Sequence, residues 1–238
     1  MGRQTALSGF VISRGKELKT VVYVDGYNLY YGLLRGTSYK WLDLYSLFQN
    51  HVLDQSAQVL EIRYYTAPVL KEFSDDPDSQ QRQRLYLQAL RKYPPNKVKI
   101  IEGKILKSHP ILRLYEPIPE APHLNKVRVI DFQEKQTDVN LAVDLVVGAG
   151  MNTFEQAVLC SNDSDLKAAL VAVKQYYPQI RLGLVAPISK PDERYISKDL
   201  AQYVHWKKIL SPIHLQHAQL PQKIPQTSIC KPRKWDTN

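Results

Sequence analysis

The sequence holds only two cysteines, Cys160 and Cys230. The first falls in an apolar run that reads as a core strand, the second near the C-terminal end. A disulfide scaffold is therefore excluded, and a reducing compartment, the cytoplasm, is the expectation. No apolar run reaches the roughly 18–20 residues that a membrane-spanning helix needs. The first residues show no apolar stretch leading to a small-residue cleavage site, so no secretory signal is expected. Internal repeats are missing, as are a Gly-rich phosphate loop and a dinucleotide fingerprint, which removes the commonest nucleotide-cofactor classes. Acidic charge is in short supply. Lys and Arg number 32 against 23 Asp and Glu, giving a net charge of +9 and a pI near 9.4. Such a balance favours polyanionic partners, nucleic acid before anionic membrane.

What is present suits one folded unit. The 238 residues are 44% hydrophobic, enough for a proper core. Residues 1–18 are polar and aperiodic, and read as a flexible segment. Residues 19–211 read as the domain. The stretch 212–238, rich in Pro, Gln and His with basic residues near its end, reads as a disordered basic tail. Within the domain, short β-branched runs alternate with amphipathic stretches. "TVVYV" (20–24), "VLEIRYYTAP" (59–68), "KVKIIEGKIL" (97–106), "QAVLC" (156–160) and "IRLGLVAP" (180–187) read as strands. Helices are expected from Asp43, from Asp78 to Tyr93, from Thr137, from Ser164 and over "KDLAQYVHWKKIL" (198–210). In the helix from Thr137, that threonine is the expected cap, and Val139, Ala142, Val143 and Val146 form the expected buried stripe. Four prolines between 107 and 125 mark an insertion. With its flanking strands it makes a β-rich region around 98–132. Alternating short strands and helices define the α/β class, with a mainly parallel central sheet covered on both faces, a Rossmann-like three-layer arrangement.

In such a sheet, ligands bind beyond the carboxyl ends of strands, at a switch in strand order. "VVYVDGYNLYYGL" (21–33) ends a strand on Asp25. "AVLCSNDSDL" (157–166) ends another on Asp163 and Asp165. Asp138 lies in the first turn of the helix from Thr137. The four carboxylates can therefore meet on one edge although they are far apart in sequence. Close carboxylates repel, and a hard divalent cation with oxygen ligands relieves the repulsion. The motifs hold no Cys and His set, which argues against zinc. Each aspartate also has an ordinary reading, as a helix cap or as turn chemistry. Asn28, one turn into its helix, can orient Asp25. Asp144 lies six residues beyond Asp138, about 120° around the helix, where exposure or a supporting role is expected.

The stretches "VDGYNLYYGL", "EKQTDVNLAVDLV" and "VLCSNDSDLKAAL", in this order, resemble the NYN domain, a branch of the PIN-like nuclease superfamily. The likeness covers roughly residues 20–205. It is similar in particular to bacterial NYN proteins whose middle motif reads Glu-Lys-x-x-Asp-Val-Asn-Leu-Ala, here Glu134 to Ala142. The resemblance implies a PIN-like fold and Mg²⁺- or Mn²⁺-dependent cleavage of RNA. It places the metal and the chemistry on Asp25, Asp138, Asp163 and Asp165, with Asn28, Ser161 and Asn162 in support. Related sequences often carry a further acidic residue near the end of the middle helix, where this chain has "VVGAG".

Between residues 80 and 135, twelve Lys and Arg face five Asp and Glu. Arg82, Arg84, Lys104, Lys107, Arg113 and Lys135 are the expected contacts to an RNA backbone, with Tyr93 and Tyr115 as stacking candidates. Single-stranded or looped RNA is favoured because its bases are already exposed. The alternative is an RNA-binding or adaptor module on the same fold without catalysis. A homodimer or a protein partner stays open, and no membrane partner is expected.

Overall fold

A computed structural model describes residues 17–73 and 76–236. The expectation for residues 1–18 therefore lies almost wholly outside the described residues. Strand β1 (Leu18–Asp25) is followed by α1 (Gly26–Leu29), which continues in wider turns over Tyr30–Leu34. Helix α2 (Leu44–Ser46) continues likewise over Leu47–Val52. Then come β2 (Ala57–Thr66), α3 (Ser79–Lys92) and β3 (Val98–Glu102). The insertion supplies β4 (Lys104–Ser108), β5 (Ile111–Arg113), β6 (Lys126–Arg128) and β7 (Asp131–Lys135). The chain goes on through α4 (Thr137–Gly150), β8 (Gln156–Cys160), α5 (Lys167–Tyr176) and β9 (Arg181–Ala186). It closes with α6 (Lys198–Ala201), β10 (Trp206–Ile209) and α7 (Pro212–His217).

Six strands form one parallel sheet in the order β10-β9-β8-β1-β2-β3. The chain winds outward from β1 through β2 to β3. It then crosses to the other side of β1 and winds out again through β8, β9 and β10. The switch in strand order thus lies between β1 and β8. Alternation along β1 sends Val22 and Val24 into one core and Val21 and Tyr23 into the other. The first core holds residues of α1, α2, α3 and α7. The second holds Leu141, Leu145 and Ala149 of α4, Leu170 of α5 and Leu200 of α6. Two covered faces make the three-layer α/β fold expected from the sequence. Among the described residues no helix is long and apolar enough to cross a membrane.

Four local expectations are corrected. The run "KVKIIEGKIL" is two strands, broken at buried Gly103. Strand β3 stays in the main sheet, while β4 turns away to pair antiparallel with β7. A side chain at Gly103 would collide with the Lys135 carbonyl and the Thr137 hydroxyl. The last expected helix is α6 followed by β10. Trp206 lies flat on Gly183 of β9, and its indole donates to Gln156 Oε1 at 2.9 Å, so sheet pairing overrides the helical pattern. On α4, Leu141, Leu145 and Ala149 face the core while Val139 and Val143 are exposed. The helix is rotated from the orientation its valines suggest. Its cap position is Gln136, at φ 79°, while the Glu134 carboxylate receives the Thr137 N–H at 3.1 Å and the Thr137 hydroxyl.

The fourth correction concerns the tail. Residues 212–236 form a strap with its own buried anchors, Leu215, Leu220, Ile224 and Trp235. Trp41 donates its indole N–H to the Pro221 carbonyl at 2.8 Å. The Trp235 ring lies 6.1 Å from those of Trp41 and Tyr86. Composition pointed to disorder, but a few widely spaced apolar residues meet a ready hydrophobic face. Replacing Trp235 by Ala should lower unfolding stability by about 3 kcal/mol, as for other buried indoles. Chemical denaturation would measure this; an unchanged midpoint would mean the strap is not docked in solution.

Candidate acidic site at the switch point

Asp25 closes β1 at the switch in strand order. It is 3% exposed, and it caps the helix it precedes: its Oδ1 accepts the Asn28 N–H at 2.9 Å. Its Oδ2 accepts the Ser161 hydroxyl at 2.8 Å across from β8. Burial pushes its carboxyl above the usual range, and the two hydrogen bonds pull it back down in part. Gly26 follows because the backbone of β2 comes too close for a side chain. A Cβ there would sit 2.5 Å from the Tyr65 carbonyl oxygen.

The loop after β8 faces this residue. Asp163 Oδ1 accepts the Asp165 N–H at 3.0 Å, and its own N–H donates to Ser161 Oγ at 3.1 Å. Asn28 Oδ1 accepts the Asn162 N–H at 3.0 Å, tying the β1 and β8 ends together. Asn162 in turn accepts the Ser197 N–H at 2.7 Å and donates to the Tyr195 carbonyl at 3.1 Å. The loops after β1, β8 and β9 are thus laced by amide and hydroxyl groups, with the acidic side chains between them.

Asp138 enters from the start of α4. Its carboxyl is pushed up to about 6, first by burial and then by the negative charges of Asp25, Asp163, Glu134 and Asp165. The structure therefore brings all four sequence-expected aspartates to one edge, with Asn28, Ser161 and Asn162 beneath them. Asp144 belongs elsewhere. It accepts the Tyr65 hydroxyl at 2.8 Å and neighbours Tyr23, within a cluster that includes Arg63.

Glu134 is the acidic residue that sequence reading quoted but gave no role. Its signal was its place four residues before Asp138. The donors are all oxygen and suit a hard cation. Among the described residues, no three acidic, His or Cys side chains are close enough together to hold a bare ion. Mg²⁺ keeps several of its waters, so one or two direct carboxylate bonds suffice.

The basic residues divide. Lys104 and Lys135 are cross-strand partners at the base of the β4/β7 hairpin, which leads directly into α4. Lys107 sits 2.5 Å from Glu72 and over the Phe132 ring. Arg84 is exposed on α3, and Arg113 lies in the outer β5/β6 hairpin opposite Lys126. Arg82 is half-buried and paired with Asp76. Tyr115 is fully exposed, whereas Tyr93 is partly buried against the first core. Sequence reading also missed Tyr27, Tyr30 and Tyr31, whose helical spacing sets them together beside the acidic edge. The Tyr27 and Tyr31 rings stack at 6.0 Å.

A parallel sheet whose switch point carries four aspartates defines the class, and the comparisons agree. The NYN domain pattern matches residues 19–203, and the chain belongs to that family. A relative from Pseudomonas putida, 6-hydroxy-3-succinoylpyridine 3-monooxygenase HspA, is 34% identical, covering 92% of this chain and 76% of its own length. A solved protein of unknown function from Vibrio parahaemolyticus shares the fold at TM-score 0.50 and 18% identity, covering 82% of this chain and 94% of that one.

The raised carboxyl of Asp138 has a consequence for stability. Its charge is less favourable in the fold than in the unfolded chain. The penalty is complete above about pH 6 and fades as pH falls toward the ordinary carboxylate range. Asp138→Asn should therefore raise stability at about pH 7.5 by about 1–2 kcal/mol, discounted for partial solvation, and by almost nothing near pH 4. Denaturant unfolding in EDTA at both pH values measures this; a gain equal at both would mean that charge repulsion is not its source.

Proposed function

We propose that the chain is a divalent-metal-dependent ribonuclease that hydrolyses phosphodiesters of single-stranded or looped RNA at the acidic edge. One observation carries the reading: carboxylates from three separate segments gather at the switch point, where burial first and their mutual repulsion second raise the Asp138 carboxyl. Asp25, Asp138, Asp163 and Asp165 would hold Mg²⁺ or Mn²⁺. When bound, such an ion supplies positive charge toward the scissile phosphate and an acidified water for attack. The chain's own groups do the positioning. Asn28 and Ser161 fix both oxygens of Asp25. Asn162 anchors the loop that presents Asp163 and Asp165. Lys104 and Lys135, at the hairpin base before Asp138, meet the strand's phosphates, which gives the binding its salt dependence.

Labelled single-stranded RNA with Mn²⁺ or Mg²⁺ tests the reading. Asp25→Asn and Asp163→Asn should each lower cleavage by about 100-fold or more. Equal cleavage by the wild type and both variants would remove the activity from this site. Binding of RNA with no cleavage by any of them would leave an RNA-binding module instead.

A second reading follows from the Pseudomonas putida relative, whose name assigns it a hydroxylated succinoylpyridine. The cluster of Tyr27, Tyr30 and Tyr31 beside the acidic edge favours a ring of that kind as substrate here. Mass spectrometry after incubation with 6-hydroxy-3-succinoylpyridine, dioxygen and an electron donor decides. An unchanged substrate eliminates this reading.

A further inference from the structure

Next to the acidic edge lies a cavity of about 550 Å³, a size typical of small-molecule sites. It begins at Gly26 and Tyr64, directly beside Asp25, whose charge Tyr64 feels. Tyr27, Tyr31, Phe132 and Trp235 supply its aromatic walls. Lys40, Arg82 and Lys234 share the same lining. Arg82 and Lys234 meet on the same carboxylate, Asp76, and burial and then their charges push the Lys40 ammonium down from its ordinary value. Asp76 pairs with Arg82 and sits 2.5 Å from Lys234 Nζ. With Glu134, the lining holds two carboxylates against three cations.

Positive charge held among π faces selects for both properties at once. A planar ring stacks on the tyrosines, and an anion on that ring answers the cations. A neutral ring would leave the excess of one cation over the two carboxylates unanswered, and an aliphatic anion would leave the aromatic walls uncovered. We propose that this cavity binds a planar heteroaromatic ring carrying an anionic group. Two sources share that chemistry: the base and phosphate of one nucleotide in an RNA strand, and a free heteroaromatic acid. The C-terminal strap belongs to the site, since it brings Lys234 and Trp235 to the lining. The proposal goes beyond the hydrolytic reading, because the cavity can bind whether or not the acidic edge cleaves.

Calorimetric titration of the full chain in EDTA tests it without turnover. The probes are adenosine 5′-monophosphate, adenosine, pyridine-3-carboxylate and a short single-stranded oligoribonucleotide. At least one of the two small anionic rings should bind, with adenosine about tenfold weaker or worse. Lys40→Gln and Tyr31→Ala should each weaken the bound anion by about tenfold, equivalent to 1.4 kcal/mol. Tyr31 is 55% exposed, so its variant should keep its fold, checked by thermal melting. Preference for the nucleotide and the oligonucleotide assigns the site to an RNA strand. Preference for the pyridine acid assigns it to a free metabolite, and binding of both supports the shared chemistry. Binding of neither anion overturns the proposal, as does wild-type affinity in both folded variants. Either failure leaves the cleavage test at Asp25 and Asp163 standing.

Discussion

The structure turns on a buried carboxylate at the end of its central strand. Asp25 has almost no solvent, yet two hydrogen bonds hold its oxygens in place, one from the helix it caps and one from the neighbouring strand end. A buried acid that has partners for its charge is tolerated, though ionising it costs more than in water and its proton affinity rises. That cost is raised further by placing other negative side chains around it. The fold accepts the repulsion because the sheet's two cores, on either side of β1, fix the strand ends independently of the charges.

That independence explains why the edge is rigid where it matters. Asn28 of α1 and Ser161 and Asn162 of the loop after β8 form one hydrogen-bonded lattice around Asp25. Through Asn162 the lattice extends to the loop after β9, at Tyr195 and Ser197. Such a lattice keeps like charges close without letting them spread apart, the condition for stored electrostatic potential in a site. The hairpin of β4 and β7 adds the opposite charge nearby. Its base, Lys104 and Lys135, lies within three residues of Asp138 along the chain or across the ladder. Positive charge from the hairpin base thus stands next to an edge that is negative by itself.

The C-terminal strap has a double role. Its apolar residues cover the face formed by Trp41, Leu42 and Phe48, which would otherwise be an exposed patch on the first core. Its last turn carries Lys234 and Trp235 into the wall of the aromatic cavity. Stability and the shape of that cavity are thereby joined. The segment that completes the core also completes the cavity.

Much of this was legible in the residues themselves. Short apolar, β-branched runs located five of the six strands of the main sheet, and aspartates at strand ends and helix starts marked the edge where charge gathers. The NYN-like motifs named the same four aspartates that the fold assembles. What the residues could not settle was set by distance along the chain. The rotation of α4 follows from Leu141 and Leu145 packing on Tyr23 and Tyr65, whereas the valines on its other side look just as apolar in sequence. The strand at Trp206 exists because Gly183 leaves room for an indole, a match between residues more than twenty positions apart. The strap folds because its few apolar side chains reach a face built by Trp41, Leu42, Phe48 and Tyr86, far back in the chain. Local pattern encodes which residues prefer to be buried and where charge is available. Which surface buries them, and which charges become neighbours, is decided only when the whole chain has packed.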